Sequence, residues 1–149
     1  MAHFKSWISS SVGKKQVVGL TGFGIALFAL SHMAGNLLIL VSAKAYNYYS
    51  YNLITNPLLP VAEILLLVAF VVHVLFAVQL SLANRRARPI NNVCAGSGAK
   101  RASFASRSML LSGLLVLVFL VLHLITFKYG THYTVVYDGI EMRDLHRLI

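Results

Sequence analysis

The chain has 149 residues, of which 58% are hydrophobic and only 11% charged, with a mean hydropathy of +0.74. Soluble globular domains rarely reach those values, so the composition reads as a small membrane domain. A net charge of +9 on a soluble protein would suggest nucleic acid, but here Lys and Arg gather at the ends of apolar segments, where they act as topological anchors, and nucleic acid is not expected as a partner.

In chain order, residues 1–16 form an interfacial lead-in, with Phe4 and Trp7 among Lys5, Lys14 and Lys15 suited to the headgroup layer. Three apolar segments follow, at roughly 17–41, 57–82 and 108–127. At about 1.5 Å per residue each covers the ~30 Å hydrocarbon core. The prediction is an all-α transmembrane helical bundle with three spans, making one membrane domain over 1–149. Ala43-Lys44-Ala45 has the form of a signal-peptide cleavage site, but a signal h-region of about 7–15 residues is shorter than this segment, which is read as a span. The loop over 42–56 carries Tyr46, Tyr48, Tyr49 and Tyr51, an aromatic belt at the interface rather than a lined site. Asn56-Pro57 opens the second span, with Pro57 and Pro60 tolerable in a first helical turn.

The loop over 83–107 is rich in Gly, Ser and Asn and reads as a connector. It holds the single cysteine, Cys94, which excludes an internal disulfide and a cysteine-held iron–sulfur cluster within the chain. Asp138-Gly139 predicts a turn, and residues 143–149 read as the beginning of a helix that would enter a fourth span. Lys5, Lys14, Lys15, Arg85, Arg86, Arg88, Lys100, Arg101 and Arg107 lie on one side of the three spans. Lys44, Lys128, Arg143 and Arg147 lie on the other, among Asp138, Glu141 and Asp144. The positive-inside rule then places the N-terminus and the 84–107 loop in the cytoplasm.

One histidine sits in each span: His32, His73 and His123. An imidazole in hydrocarbon is costly and needs a partner, and neutral imidazole is a common axial ligand of haem iron. His32 lies 17 residues beyond Lys15 and His123 lies 16 beyond Arg107, so both reach about 24–25 Å from the inner edge. That match suits one bis-histidine haem in the outer half of the membrane. His73, 12 residues before Arg85 on a span running inward, lies about 18 Å from that edge, at a more cytoplasmic level and as half of a second site. The competing reading for each is an interhelical hydrogen bond to a carbonyl or a Ser/Thr hydroxyl. His3, His132 and His146 fall outside the spans and read as solvated or interfacial. Gly19, Gly22, Gly24, Gly35 and Gly113 let either a flat macrocycle or a neighbouring helix come close. Glu63, the only acid within a span, is a candidate for proton handling at a quinone, or else reaches the interface. A small transporter fragment is disfavoured by the lack of Gly/Pro-interrupted mid-span helices.

Ser11-Val12-Gly13-Lys14-Lys15, Leu20-Thr21-Gly22 and His32-Met33-Ala34-Gly35-Asn36 resemble the start of the dihaem cytochrome b subunit, b558 type, of succinate:quinone oxidoreductases. Asn56-Pro57-Leu58-Leu59, Ala62-Glu63, Asn84-Arg85-Arg86-Ala87-Arg88-Pro89, Ala105-Ser106-Arg107-Ser108-Met109, Ser112-Gly113 and Leu122-His123-Leu124 continue the pattern in order. The resemblance covers essentially the whole chain and corresponds to the first three of five family helices. It implies two b haems with four axial histidines. His32 and His123 match the distal pair and His73 one ligand of the proximal haem, whose second ligand lies on the next family helix. It further implies a bacterial cytoplasmic-membrane anchor for flavoprotein and iron–sulfur subunits of a succinate dehydrogenase or fumarate reductase. That anchor would be an electron-transfer subunit of the tricarboxylic acid cycle enzyme, exchanging electrons with menaquinone. The alternative is a non-redox membrane anchor or assembly protein without haem.

Overall fold

The computed structural model describes residues 2–87 and 104–149; Cys94 and the basic residues Arg88, Lys100 and Arg101 lie outside the described residues. The described chain is mainly helical, as the composition predicts, and falls into two compact units, Met1–Pro89 and Ile90–Ile149. Three helices are long and apolar enough to cross a membrane, over Ser11–Leu40, Leu59–Arg86 and Arg107–Lys128.

In the first unit, α1 (Ala2–Ser9) and α2 (Ser11–Asn36) are separated by Ser10. The Ser10 hydroxyl donates to the Trp7 carbonyl at 2.6 Å and accepts from the Gly13 amide at 3.0 Å. One side chain thus caps the start of α2, satisfying one of the orphan amides of its first turn. The span therefore begins six residues before the expected position 17. Lys14 and Lys15 lie within the helix, because a long lysine stem can follow a helix face while its ammonium reaches polar surroundings. After Asn36 the chain tightens into a 3-10 turn, Leu37–Leu40.

α3 (Ala43–Ile54) occupies the segment expected to be a loop. Ser42 starts it by accepting the Ala45 amide at 3.0 Å. Tyr46, Asn47 and Ser50 form its buried stripe, the i, i+1, i+4 spacing of one helix face. α4 (Leu59–Arg86) follows, with Pro60 in its first turn and Asn56 Oδ1 accepting the Leu58 amide at 2.9 Å. It runs four residues past the expected end at 82. Arg85 and Arg86 fall in its last turn, where cations suit the helix dipole. α4 packs along α2.

In the second unit, α5 (Phe104–His123) continues into a π-helical turn, Leu124–Lys128. β1 (Thr134–Tyr137) and β2 (Ile140–Arg143) then pair antiparallel, Thr134 opposite Arg143 and Tyr137 opposite Ile140. Asp138 (φ 53°) and Gly139 (φ 79°) make the two-residue turn, a geometry whose twist matches the strands it joins. The expected turn is present. The helix expected over 143–149 is not: Arg143 ends a strand, and only a short 3-10 turn, His146–Leu148, follows. The β-branched run Thr134-Val135-Val136 and the Asp-Gly turn together favour the hairpin. Arg143 lays its guanidinium against the carbonyls of Lys128 (3.4 Å) and Thr131 (3.5 Å), and Arg147 stands 4.2 Å from the centre of the Tyr133 ring.

Burial is inverted relative to a soluble domain. Among the described residues the buried apolar side chains are Tyr46 and Met142, while Asn47 is fully buried and most Leu, Val and Phe of the spans are exposed. Helices that meet lipid have this pattern, since polar groups must be satisfied inside and apolar ones need no shelter.

Candidate functional site

The best-defined functional geometry surrounds His73, on the face of α4 that meets α2. Its Nδ1 lies 3.1 Å from the Val18 carbonyl oxygen and 3.1 Å from the Thr21 hydroxyl. The network assigns the tautomer. A carbonyl only accepts, so the bond to Val18 requires a proton on Nδ1. The Thr21 hydroxyl donates to the Val17 carbonyl at 2.7 Å, which leaves its lone pair for the same Nδ1–H. The neutral ring then carries an unprotonated Nε2.

Gly22 makes this approach possible. A Cβ there would stand 2.9 Å from His73 Cε1, closer than carbon atoms pack. Of the five glycines singled out from the sequence, Gly22 and Gly35 sit at close contacts, Gly35 against the ring of Tyr49. Gly19, Gly24 and Gly113 have open space where a side chain would be. Toward the N-terminal end of α2, Lys14 Nζ donates to Gln79 Oε1 at 2.8 Å and lies 6.0 Å from the centre of the Phe76 ring. Val18, Thr21 and Lys14 thus share the α2 face that meets α4 at His73, Phe76 and Gln79.

The contact also fixes a level. His73 is opposite Gly22, and His32 lies ten residues further along α2, about 15 Å away along the axis. His32 is exposed and stacks on Phe28, one turn back, with ring centres 5.4 Å apart and planes at 17°. In the second unit His123 repeats this arrangement: it stacks on Phe119 at 5.4 Å and 28°, and meets Phe127 on its other side at 4.9 Å. The π-helical turn begins at the next residue; such turns shift side chains off the regular helical register and recur at functional sites. Glu63 is exposed in the second turn of α4.

The sequence singled out all three histidines but missed the residues that seat His73. Thr21 lies in Leu20-Thr21-Gly22, where the sequence gives it no role; only the pairing of α2 with α4 does. For His73 the interhelical hydrogen bond, stated above as the competing reading, is present. It leaves Nε2 free to act as a Lewis base, so the bond and a ligand role are compatible. Among the described residues no three His, Cys, Asp or Glu side chains gather into a metal-binding group; an axially ligated haem needs at most two. Comparison with family models, with curated proteins and with solved structures gives no match for this chain.

Proposed function

We propose that the chain is a haem b-binding membrane subunit of a succinate:quinone oxidoreductase, carrying electrons between cytoplasmic flavoprotein and iron–sulfur subunits and menaquinone. The observation that carries the reading is the His73 imidazole, seated by Nδ1 on the Val18 carbonyl so that Nε2 takes no part in that bond. Metal-ligating histidines characteristically have this outer-shell bond, which fixes the tautomer and raises the basicity of the ligating nitrogen. Support also comes from one histidine per span and from the ordered motifs around them. In this reading His32 and His123 hold the distal haem, and His73 supplies one ligand to the proximal haem.

Haem would supply reversible one-electron transfer. The chain's own residues hold and orient the ring nitrogens, surround them with apolar side chains, and anchor the spans. Phe28 and Phe119 each brace one of the distal-pair histidines by stacking. Glu63, near the outer end of α4 in this orientation, either reaches the interface or is a candidate for proton handling at the quinone. In this reading, which takes the bacterial cytoplasmic membrane from the resemblance, the Lys/Arg asymmetry favours an N-terminus and 84–107 loop on the inside.

The test is a reduced-minus-oxidised spectrum of membranes carrying the chain, followed by His32→Ala and His123→Ala. Sharp b-type bands are expected, and each substitution should remove the same spectral component, because both side chains would hold one iron. Loss of different components would break the pairing. Absence of any b-type band would favour the non-redox anchor, a reading to which the satisfied hydrogen bond of His73 also lends itself.

A further inference from the structure

We propose that Thr21 is a positioning residue for the His73 imidazole, and that the Thr21-Gly22 pair on α2 tunes the haem that His73 ligates. This rests on the reading of His73 as an axial ligand and goes beyond it. The hydroxyl and the Val18 carbonyl both face Nδ1 at 3.1 Å, so two acceptors share one N–H. The hydroxyl is itself oriented by donation to Val17 at 2.7 Å, which turns its lone pair rather than its proton toward the ring. Two acceptors draw the N–H proton outward and leave more electron density at Nε2. A more basic ligand favours ferric over ferrous iron and lowers the reduction potential. Gly22 lets the Nδ1–Cε1 edge of the ring come up to α2 where a methyl group would displace it. The role is specific to a hydroxyl: a residue of the same shape without one keeps the packing and loses the second acceptor.

The experiment uses the full chain in its membrane. The His73-dependent component is first defined as the one lost in His73→Ala. In Thr21→Val that component should titrate at a higher potential, and haem at that site should be retained about tenfold less tightly, the low end for loss of an outer-shell partner. Thr21→Ser should restore both values, and the component that depends on His32 should not move. A merely structural threonine would not produce a shift confined to one component and reversed by serine. If Thr21→Val matches the wild type in potential and retention while the His73-dependent component is present, the inference fails and the ligand reading stands. If His73→Ala removes no component, the ligand reading fails and takes the inference with it. A readout independent of haem and of any variant is nitrogen NMR of the histidine-labelled chain without haem. A proton on Nδ1 of His73 is expected, and one on Nε2 would overturn the seat.

Discussion

A methyl group at Gly35 would run into the ring of Tyr49. The two residues belong to different helices, α2 and α3, so the glycine decides how closely α3 can approach the C-terminal end of α2. Overpacking at such a contact costs about 1–3 kcal/mol. Gly35→Ala should therefore lower the free energy of unfolding in detergent micelles by that amount. Combining it with Tyr49→Ala should make the glycine change nearly neutral, because the ring it strikes is gone; strictly additive losses would show that the contact is not the cause. The same logic explains what could be read from sequence at this scale. His32, His73 and His123 announce themselves, since a titratable ring in an apolar run is unusual whatever the fold. Thr21, Gly22 and Gly35 do not: threonine and glycine are common in spans, and their roles exist only once α4 or α3 is laid against α2.

At the scale of elements, α3 is the part of the chain that sequence reasoning missed. Its four tyrosines suit an aromatic belt, and a short polar helix lacks the long apolar run that marks the spans. Its cap, Ser42, and its buried stripe give it away only after folding. The stripe has a consequence for pH. Tyr46 donates to Asn36 Oδ1 at 3.1 Å. Burial, and then the neighbouring Tyr49, raise its phenol above the ordinary value of 10.0. The folded chain therefore holds this proton more tightly than the unfolded chain does. The contribution is complete below about pH 10 and is lost as pH rises through the unfolded and then the folded value. Tyr46→Phe should cost about 0.5–1.5 kcal/mol at pH 8, the worth of one hydrogen bond. Its unfolding midpoint should fall less steeply than the wild type's between pH 9 and 11. Parallel curves would mean that Tyr46 does not titrate differently on folding. The hairpin was half legible: Asp138-Gly139 is a strong turn signal, but four-residue strands are too short for alternation to be read, and the leucines at 145 and 148 imitate a helix start.

At the scale of the molecule, the spans were legible because length and hydropathy alone define them, while their ends were not. The lysines at 14 and 15 look like a boundary, yet α2 runs through them from its cap at Ser10, while α4 ends on the arginines at 85 and 86 rather than at 82. Those charges bear on orientation instead. If the N-terminus is inside, three crossings would put the β1–β2 hairpin outside. Val136 is exposed in β1 and opposite Glu141, so a cysteine there disturbs neither the turn nor the buried Met142. In a Cys94→Ser background, Val136→Cys should react with a membrane-impermeant maleimide added to intact cells. The chain with only its native Cys94, in the connector expected inside, should react only after the membrane is opened. The reverse pattern would invert the orientation and put Lys14, Lys15, Arg85 and Arg86 on the outer side, against the charge bias of membrane insertion.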